Sequence, residues 1–178
     1  MTLPRLSVFI ACSLDGYIAT SDGGLDWLEL AARPDEDYGY DAFLATVDGV
    51  AMGHGTYDHI AHLDPLPFDE RPVFVFAHRA PPAREGVTFW QRSPREAAAW
   101  WSEMGLERVY IDGGTLISAF LTEGLIDDLS ITVAPALLGA GRPLFHAGSP
   151  TIALRLTAVR SWASGLVNLS YVRAENGG

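Results

Sequence analysis

Two glycine-containing turns are the segments of this sequence best suited to bind an anion. In one of them, a short apolar run from Val109 to Ile111 leads through Gly113 and Gly114 into a helical pattern near Leu116. A strand that passes through paired glycines into a helix exposes free backbone N–H groups at the positive end of the helix dipole. Because phosphate commonly occupies such a position, the turn predicts binding of a nucleotide or another phosphorylated molecule.

The same arrangement occurs earlier in the chain, where a predicted strand from Gly49 to Met52 is followed by Gly53, Gly55 and Thr56. Parallel strands bring such turns to one edge of an open α/β sheet, and ligands bind along that edge. The two turns could therefore hold two ends of an extended ligand such as a dinucleotide, with Thr56 and Thr115 as hydroxyl donors. A purely structural role in chain reversal is the alternative for each turn.

Charged residues near these turns offer further chemistry. His78 and Arg79 follow a third predicted strand, and a guanidinium there could pair with the 2′-phosphate of NADPH, although a solvated loop arginine is equally compatible. Asp37 and Asp41 lie one helical turn apart on a helix predicted to open at Pro34. A carboxylate beside an apolar cleft can hold a proton near neutral pH and donate it, whereas a surface carboxylate is the commoner case.

The surrounding pattern predicts an α/β fold, with a mostly parallel central sheet, flanking helices and an antiparallel C-terminal extension. The loop from Ser13 to Asp26 is rich in Asp, Gly and Ser, and Trp27 after it could either cover a ligand or anchor the loop in the core. Ser93 to Glu96 forms a capping box. The predicted strands of the extension are Leu129–Ala134, Ala153–Val159 and Leu166–Arg173.

Composition narrows the possible functions. The 178 residues fit one domain, 1–178, with 175–178 as a flexible tail. The net charge of −10 disfavours nucleic acid and anionic membranes as partners. All twelve basic residues are arginines, which excludes Schiff-base lysines and lysine-dependent phosphate loops. A single cysteine, Cys12, excludes a disulfide framework, no metal site is expected, and the absence of a signal or spanning segment predicts a cytoplasmic protein.

Four segments, in order along the chain, resemble the dihydrofolate reductase-like superfamily. The resemblance is strongest to the reductase domain at the C-terminus of bifunctional riboflavin-biosynthesis deaminase-reductases and to its stand-alone relatives. It implies a dihydrofolate reductase-like fold and an NADPH-dependent reductase of a small heterocycle, without the deaminase activity, because the zinc-binding cysteines are absent. The matching segments are Ser13–Ala19, Met52–Tyr57, Val109–Gly114 and Val133–Phe145.

The resemblance also assigns roles to individual residues. The two glycine turns hold the phosphates of the cofactor, the loop from Ser13 to Trp27 closes over nicotinamide and substrate, and His78 and Arg79 lie near the adenosine. Asp37 or Asp41 is the expected catalytic acid, and Ala11 and Trp27 are the expected substrate contacts. The expected cofactor-binding residues are Gly53, His54, Gly55, Thr56, His78, Arg79, Asp112, Gly113, Gly114, Thr115 and Leu116.

Several alternatives stay open at this point. His54 stands where dihydrofolate reductases commonly carry a basic residue, and histidine is mostly neutral at pH 7, so NADH is an alternative to NADPH. A flavin or deazaflavin is another possible cofactor. The substrate could resemble 5-amino-6-(5-phosphoribosylamino)uracil or a pterin, and a non-catalytic nucleotide-binding protein would carry the same turns. The apolar, helix-free final third predicts a homodimer surface, which the family resemblance also favours, with a sheet edge covered within one subunit as the alternative.

Overall fold

Ten strands and four helices occupy residues 2–79 and 82–174, which are the residues that the computed structural model describes. The strands are β1 (Arg5–Ser13), β2 (Tyr17–Ala19), β3 (Gly49–Gly53), β4 (Val73–Phe76), β5 (Val87–Trp90), β6 (Arg108–Asp112), β7 (Asp128–Ala134), β8 (Arg142–Pro143), β9 (Leu154–Ser161) and β10 (Val167–Arg173). The helices are α1 (Tyr40–Leu44), α2 (His54–Ile60), α3 (Pro94–Glu103) and α4 (Gly114–Thr122), and a 3₁₀ turn spans Asp26–Leu30. The predicted tail, 175–178, lies outside the described residues.

Eight of the strands form one sheet in the order β5-β4-β3-β6-β1-β7-β10-β9. The pairs from β5 through β7 are parallel, whereas β10 runs antiparallel to both β7 and β9. This topology confirms the predicted α/β class, including the antiparallel C-terminal extension. None of the helices within the described residues is long and apolar enough to cross a membrane.

The sheet is covered on both faces, and the side chains of β6 show how. Val109 and Ile111 pack with α3 and α4 on what we call the α4 face, while Tyr110 packs with α1 and α2 on the α1 face. Successive residues of a strand point to opposite faces, so Asp112, two residues after Tyr110, also belongs to the α1 face. Burial on both faces explains why the central strands are continuous apolar runs in the sequence.

The prediction of a helix that begins at Pro34 is wrong. The chain makes turns from there to Tyr38, which has a φ of 56°, and α1 begins only after Gly39, which has a φ of 88°. The carboxylate of Asp37 accepts hydrogen bonds from the backbone N–H groups of Gly39 and Asp41, at 3.0 and 2.9 Å. The Asp37 side chain therefore stabilises the turn that precedes α1 from outside the helix. Such hydrogen bonds from nearby backbone N–H groups to an aspartate side chain compete with helix formation.

The loop predicted from Ser13 to Asp26 contains the short strand β2, which pairs antiparallel with β8. The two strands are far apart in the chain, so no local pattern could reveal the pairing. Asp15 adds a second tie, because its carboxylate accepts hydrogen bonds from the N–H groups of Leu138 and Gly139. The first loop and the segment around β8 are thus joined into one unit.

The predicted capping box at the start of α3 is confirmed. The Ser93 hydroxyl accepts from the N–H of Glu96 at 3.3 Å, and the Glu96 carboxylate accepts from the N–H of Ser93 at 3.0 Å. We expect Ser93→Ala to lower the free energy of unfolding by about 1 kcal/mol, measured by urea denaturation. Ser21→Ala, at an exposed position whose hydroxyl makes no hydrogen bond to a described residue, should change it by much less.

Candidate functional site

The two glycine turns lie side by side at the carboxyl edge of the sheet. Their strands, β3 and β6, are parallel neighbours in which Met52 is opposite Asp112. A Cβ atom added at Gly113 would lie 2.6 Å from the Thr56 hydroxyl oxygen and 3.9 Å from the backbone nitrogen of Gly53. This proximity confirms the prediction that both turns lie at one edge of the sheet.

Between and beside the turns lies a cleft with a volume of about 560 Å³. It follows the carboxyl ends of β6, β3, β4 and β5, and its far wall is built by the segment around β8. Nine of the predicted cofactor-binding residues line it: Gly53, His54, Gly55, Thr56, His78, Gly113, Gly114, Thr115 and Leu116. Asp112 and Arg79 are the two predicted members of that set that do not line the cleft.

The cleft opens onto the start of α4, the nine-residue helix that follows Gly113. Gly113 has a φ of 92° and a ψ of 131°, a conformation that is essentially reserved for glycine. At Gly114, a Cβ would collide with the backbone carbonyl of Pro143. Both glycines are thus required by the local packing, which leaves the free N–H groups of the first turn of α4 and the exposed Thr115 beside the cleft.

The charge of the cleft is opposite to that of the whole chain. Among the described residues that line it there is no aspartate or glutamate, although the chain carries 22 of them. The ionisable side chains of the lining are instead Arg92, Arg142, His54, His78 and His146. A cleft of this composition, next to a helix N-terminus, attracts anions in spite of the net charge of −10.

A second feature lies next to the cleft, where β1 and β6 separate. Their pairing ends at Ser7 and Tyr110, while β1 continues to Ser13 against β7 alone. The Tyr110 hydroxyl donates to the carbonyl of Phe9 at 2.8 Å and spans the start of this gap. Ala11, two residues beyond Phe9, is partly exposed and flanks the gap on the α1 face.

Asp112 flanks the same gap from the β6 side. Its carboxylate accepts a hydrogen bond from the N–H of Gly113 at 2.8 Å. Burial raises the pKa of Asp112 to about 6, although the amide of Gly113 and the hydroxyl of Tyr110 both favour the ionised form. Burial and the nearby Asp112 charge also raise the pKa of Tyr40 to about 12. Asp112 therefore has an acid–base property that the sequence did not reveal, because its burial comes from distant segments.

The two carboxylates predicted as acids have different surroundings. Asp37 is exposed, and the N–H groups of Gly39 and Asp41 hold the pKa of its carboxyl below the usual range. This shift is opposite to the one that a proton donor near neutral pH requires. Asp41 is also exposed, on the first turn of α1. Neither residue lines the cleft.

The structure also shows whether two other predicted site residues, Trp27 and Arg79, reach the cleft. Trp27 is 7% exposed and packs with Ala134 and Leu166, so it is the buried anchor of the first loop rather than a cover over the cleft. Arg79 is exposed and follows His78 without lining the cleft. The arginines that do line it, Arg92 and Arg142, were missed, since the sequence places them after an edge strand and in the late Gly-Ala-Gly-Arg-Pro segment, far from either turn.

Comparison with known proteins connects these features to a family. The model of the RibD C-terminal domain matches residues 74–168, which is over half of the chain. The uncharacterized protein YwjB of Bacillus subtilis is 38% identical over 170 residues, covering 94% of this chain and 97% of YwjB. A Shewanella sp. PV-4 structure, provisionally assigned to riboflavin biosynthesis, is 35% identical with a TM-score of 0.88, covering 96% of this chain and 99% of that one.

A more distant structure shows the same fold within a larger enzyme. The Thermotoga maritima protein is described as a diaminohydroxyphosphoribosylaminopyrimidine deaminase and 5-amino-6-(5-phosphoribosylamino)uracil reductase. It is 16% identical, with a TM-score of 0.73, and the match covers 97% of this chain but 57% of that protein. At this identity the likeness supports the fold alone.

Proposed function

This chain belongs to the RibD C-terminal domain family, and we propose that it is a reductase that uses NADPH to reduce a small, polar heterocycle. The observation that carries the proposal is the cleft, in which both glycine turns and a carboxylate-free lining meet beside the gap between β1 and β6. The substrate of the Thermotoga maritima reductase, 5-amino-6-(5-phosphoribosylamino)uracil, gives the chemical class to try first.

The lining of the cleft is suited to the phosphates of a dinucleotide. The free N–H groups at the start of α4, with the hydroxyls of Thr56 and Thr115, are suited to bind the diphosphate. The absence of a side chain at Gly113 and Gly114 allows a phosphate to approach the backbone closely. NADPH, when bound, supplies the hydride, while the protein binds and orients both partners and provides a proton.

We assign the role of proton donor to the carboxyl group of Asp112. Reduction of a C=N or C=O bond adds a hydride to carbon and a proton to the heteroatom, so an acid must lie where the substrate meets the nicotinamide. Asp112 flanks the gap beside the cleft, and with a pKa of about 6 it retains a proton in part of its population near neutral pH. The position of Ala11 on the opposite side of this gap supports its predicted contact with the substrate.

A cofactor panel followed by a turnover assay tests the proposal. NADPH should raise the melting temperature, and a reducible pyrimidine or pterin should then cause loss of absorbance at the nicotinamide band. Stabilisation by NADPH without turnover on any such compound would instead favour a nucleotide-binding protein. Selective stabilisation by a flavin or deazaflavin, or a yellow purified protein, would contradict the choice of NADPH.

We also propose that the protein forms a homodimer through the sheet edge at β9. This outer strand is exposed along its whole length, and Val159 is 55% and Leu156 48% exposed in the isolated chain. Exposed apolar residues on a free edge are typical of a surface that another chain covers. Analytical ultracentrifugation should show a dimer for the wild type and a monomer for Val159→Arg, whereas Met104→Arg, at an exposed residue at the end of α3, which packs against β4 rather than β9, should remain dimeric.

A further inference from the structure

Two guanidinium groups face the cleft without an ionic partner of their own. Neither Arg92 nor Arg142 forms a hydrogen bond or an ion pair within 4.0 Å to any side chain that the structure describes. Arg108, by contrast, is held by Asp128 at 3.1 Å. The carboxylates of Asp22 and Glu96 lie near Arg142 and Arg92, respectively, but neither forms an ion pair within 4.0 Å among the described residues. Both guanidinium groups are therefore available to bind an anionic ligand directly.

Arg142 lies beside the turn that contains Gly53 and Gly55, close to the start of α4. Its position is set by the pairing of β8 with β2 and by the hydrogen bond from the N–H of Leu144 to the carbonyl of Gly16, 2.9 Å long. Its guanidinium is 3.5 Å from the place where a Cβ of Gly55 would stand. The next residue, Pro143, touches Gly114 through its carbonyl. A Cβ of Gly23 would lie 2.9 Å from the same guanidinium, so Arg142 stands between the first loop and the turn at Gly55, while its neighbour Pro143 contacts the other turn.

Arg92 lies at the opposite end of the cleft. It follows β5, and its guanidinium is 5.9 Å from the ring of Trp90, which stacks on Trp100 at 5.0 Å. Three strand spacings separate β6 from β5, a distance of about 14 Å at the usual spacing between strands. Arg92 and the turn at Gly113 are therefore placed to contact different parts of one ligand. The nearby Glu96 is engaged by the N–H and hydroxyl of Ser93.

We propose that the two arginines divide the phosphates of the cofactor, so that Arg142 binds the diphosphate and Arg92 binds the 2′-phosphate that distinguishes NADPH from NADH. This inference rests on the proposed function, because it takes a nicotinamide dinucleotide as the ligand. With the diphosphate at the two turns, the adenosine extends along the ends of β4 and β5, past His78, toward Arg92. The assignment replaces Arg79, which the sequence offered as one candidate for the 2′-phosphate.

The test is a comparison of dissociation constants for NADPH and NADH. Arg142→Gln should weaken both by a similar factor, about 10- to 100-fold, since both carry the diphosphate. Arg92→Gln should weaken NADPH at least about 10-fold and leave NADH within about twofold, and Arg92→Lys should restore part of the loss. Arg33→Gln, an exposed arginine that does not line the cleft, is the matched control and should change neither.

Other outcomes would overturn the assignment. It fails for Arg92 if Arg92→Gln weakens both dinucleotides equally or neither, or if Arg79→Gln removes the preference for NADPH instead. It fails for Arg142 if only one dinucleotide is affected. Repeating the titrations with ADP-ribose and its 2′-phosphate separates this inference from the proposed activity: the same pattern without any turnover would leave the phosphate assignment standing and contradict the reductase.

Discussion

Replacing Asp112 by asparagine is expected to lower kcat about 100-fold and, at the same time, to stabilise the protein above pH 6. Asparagine keeps the shape of the side chain and an oxygen that can accept from the N–H of Gly113, but it carries no proton to donate. The wild-type kcat/KM should fall about tenfold per pH unit above pH 6, because the protonated acid becomes scarce. The variant should lack that dependence.

The stability effect follows from the direction of the pKa shift. Because burial raises the pKa of Asp112 to about 6, the folded protein binds more protons than the unfolded chain between about pH 4 and pH 6. The free energy of unfolding therefore falls as the pH rises through this range. Asp112→Asn removes the buried charge, so at pH 8 the variant should be more stable, by an amount on the order of 2 kcal/mol, and at pH 4 nearly equal.

The exposed carboxylates provide the controls for this prediction. Asp37→Asn and Asp41→Asn should each leave most of the activity, and neither should gain stability at pH 8, since both side chains are exposed. If Asp41→Asn lost activity while Asp112→Asn stayed active, the proton donor would be Asp41 on α1 instead of Asp112. An Asp112→Asn protein that is inactive but also less stable at pH 8 would point to a structural role for the carboxylate.

Replacing Gly113 by alanine is expected to have the second large effect, a loss of cofactor affinity of at least about tenfold together with lower stability. An alanine would have to adopt the φ of 92° and ψ of 131° of this position, at a cost of about 1 to 3 kcal/mol. Its Cβ would also lie 2.6 Å from the Thr56 hydroxyl oxygen, so one of the two turns must move. The dissociation constant for NADPH and the melting temperature measure the two effects.

Gly105→Ala separates backbone strain from the geometry of the cleft. Gly105 follows α3 with a φ of 79°, and a Cβ there would have no atom within 4 Å. We expect this variant to lose stability through its backbone conformation alone and to bind NADPH as the wild type does. Unchanged affinity in Gly113→Ala, or an equal loss in Gly105→Ala, would mean that the contact between the two turns does not shape the binding site.

Local patterns of residues determined much of this fold. The apolar runs predicted the central strands, the capping box predicted the start of α3, and the three strand patterns from Leu129 onward predicted the antiparallel extension. The two strand–glycine–helix turns also predicted that residues near Gly53 and Gly113 would lie together. These features succeed because each depends on residues a few positions apart, or on the general rule that parallel strands align their carboxyl ends.

Other properties were decided only by the tertiary structure, because they depend on segments far apart in the chain. The raised pKa of Asp112 needs the burial that its neighbours on the α1 face provide, and the gap beside it exists because β1 and β6, distant in sequence, stop pairing after Tyr110. The pairing of β8 with β2 brings Arg142 over Gly55, and the position of β5 carries Arg92 to the cleft while Arg79 stays outside. The sequence by itself therefore determined which turns are suited to bind an anion, whereas long-range packing decided which charged side chains reach them.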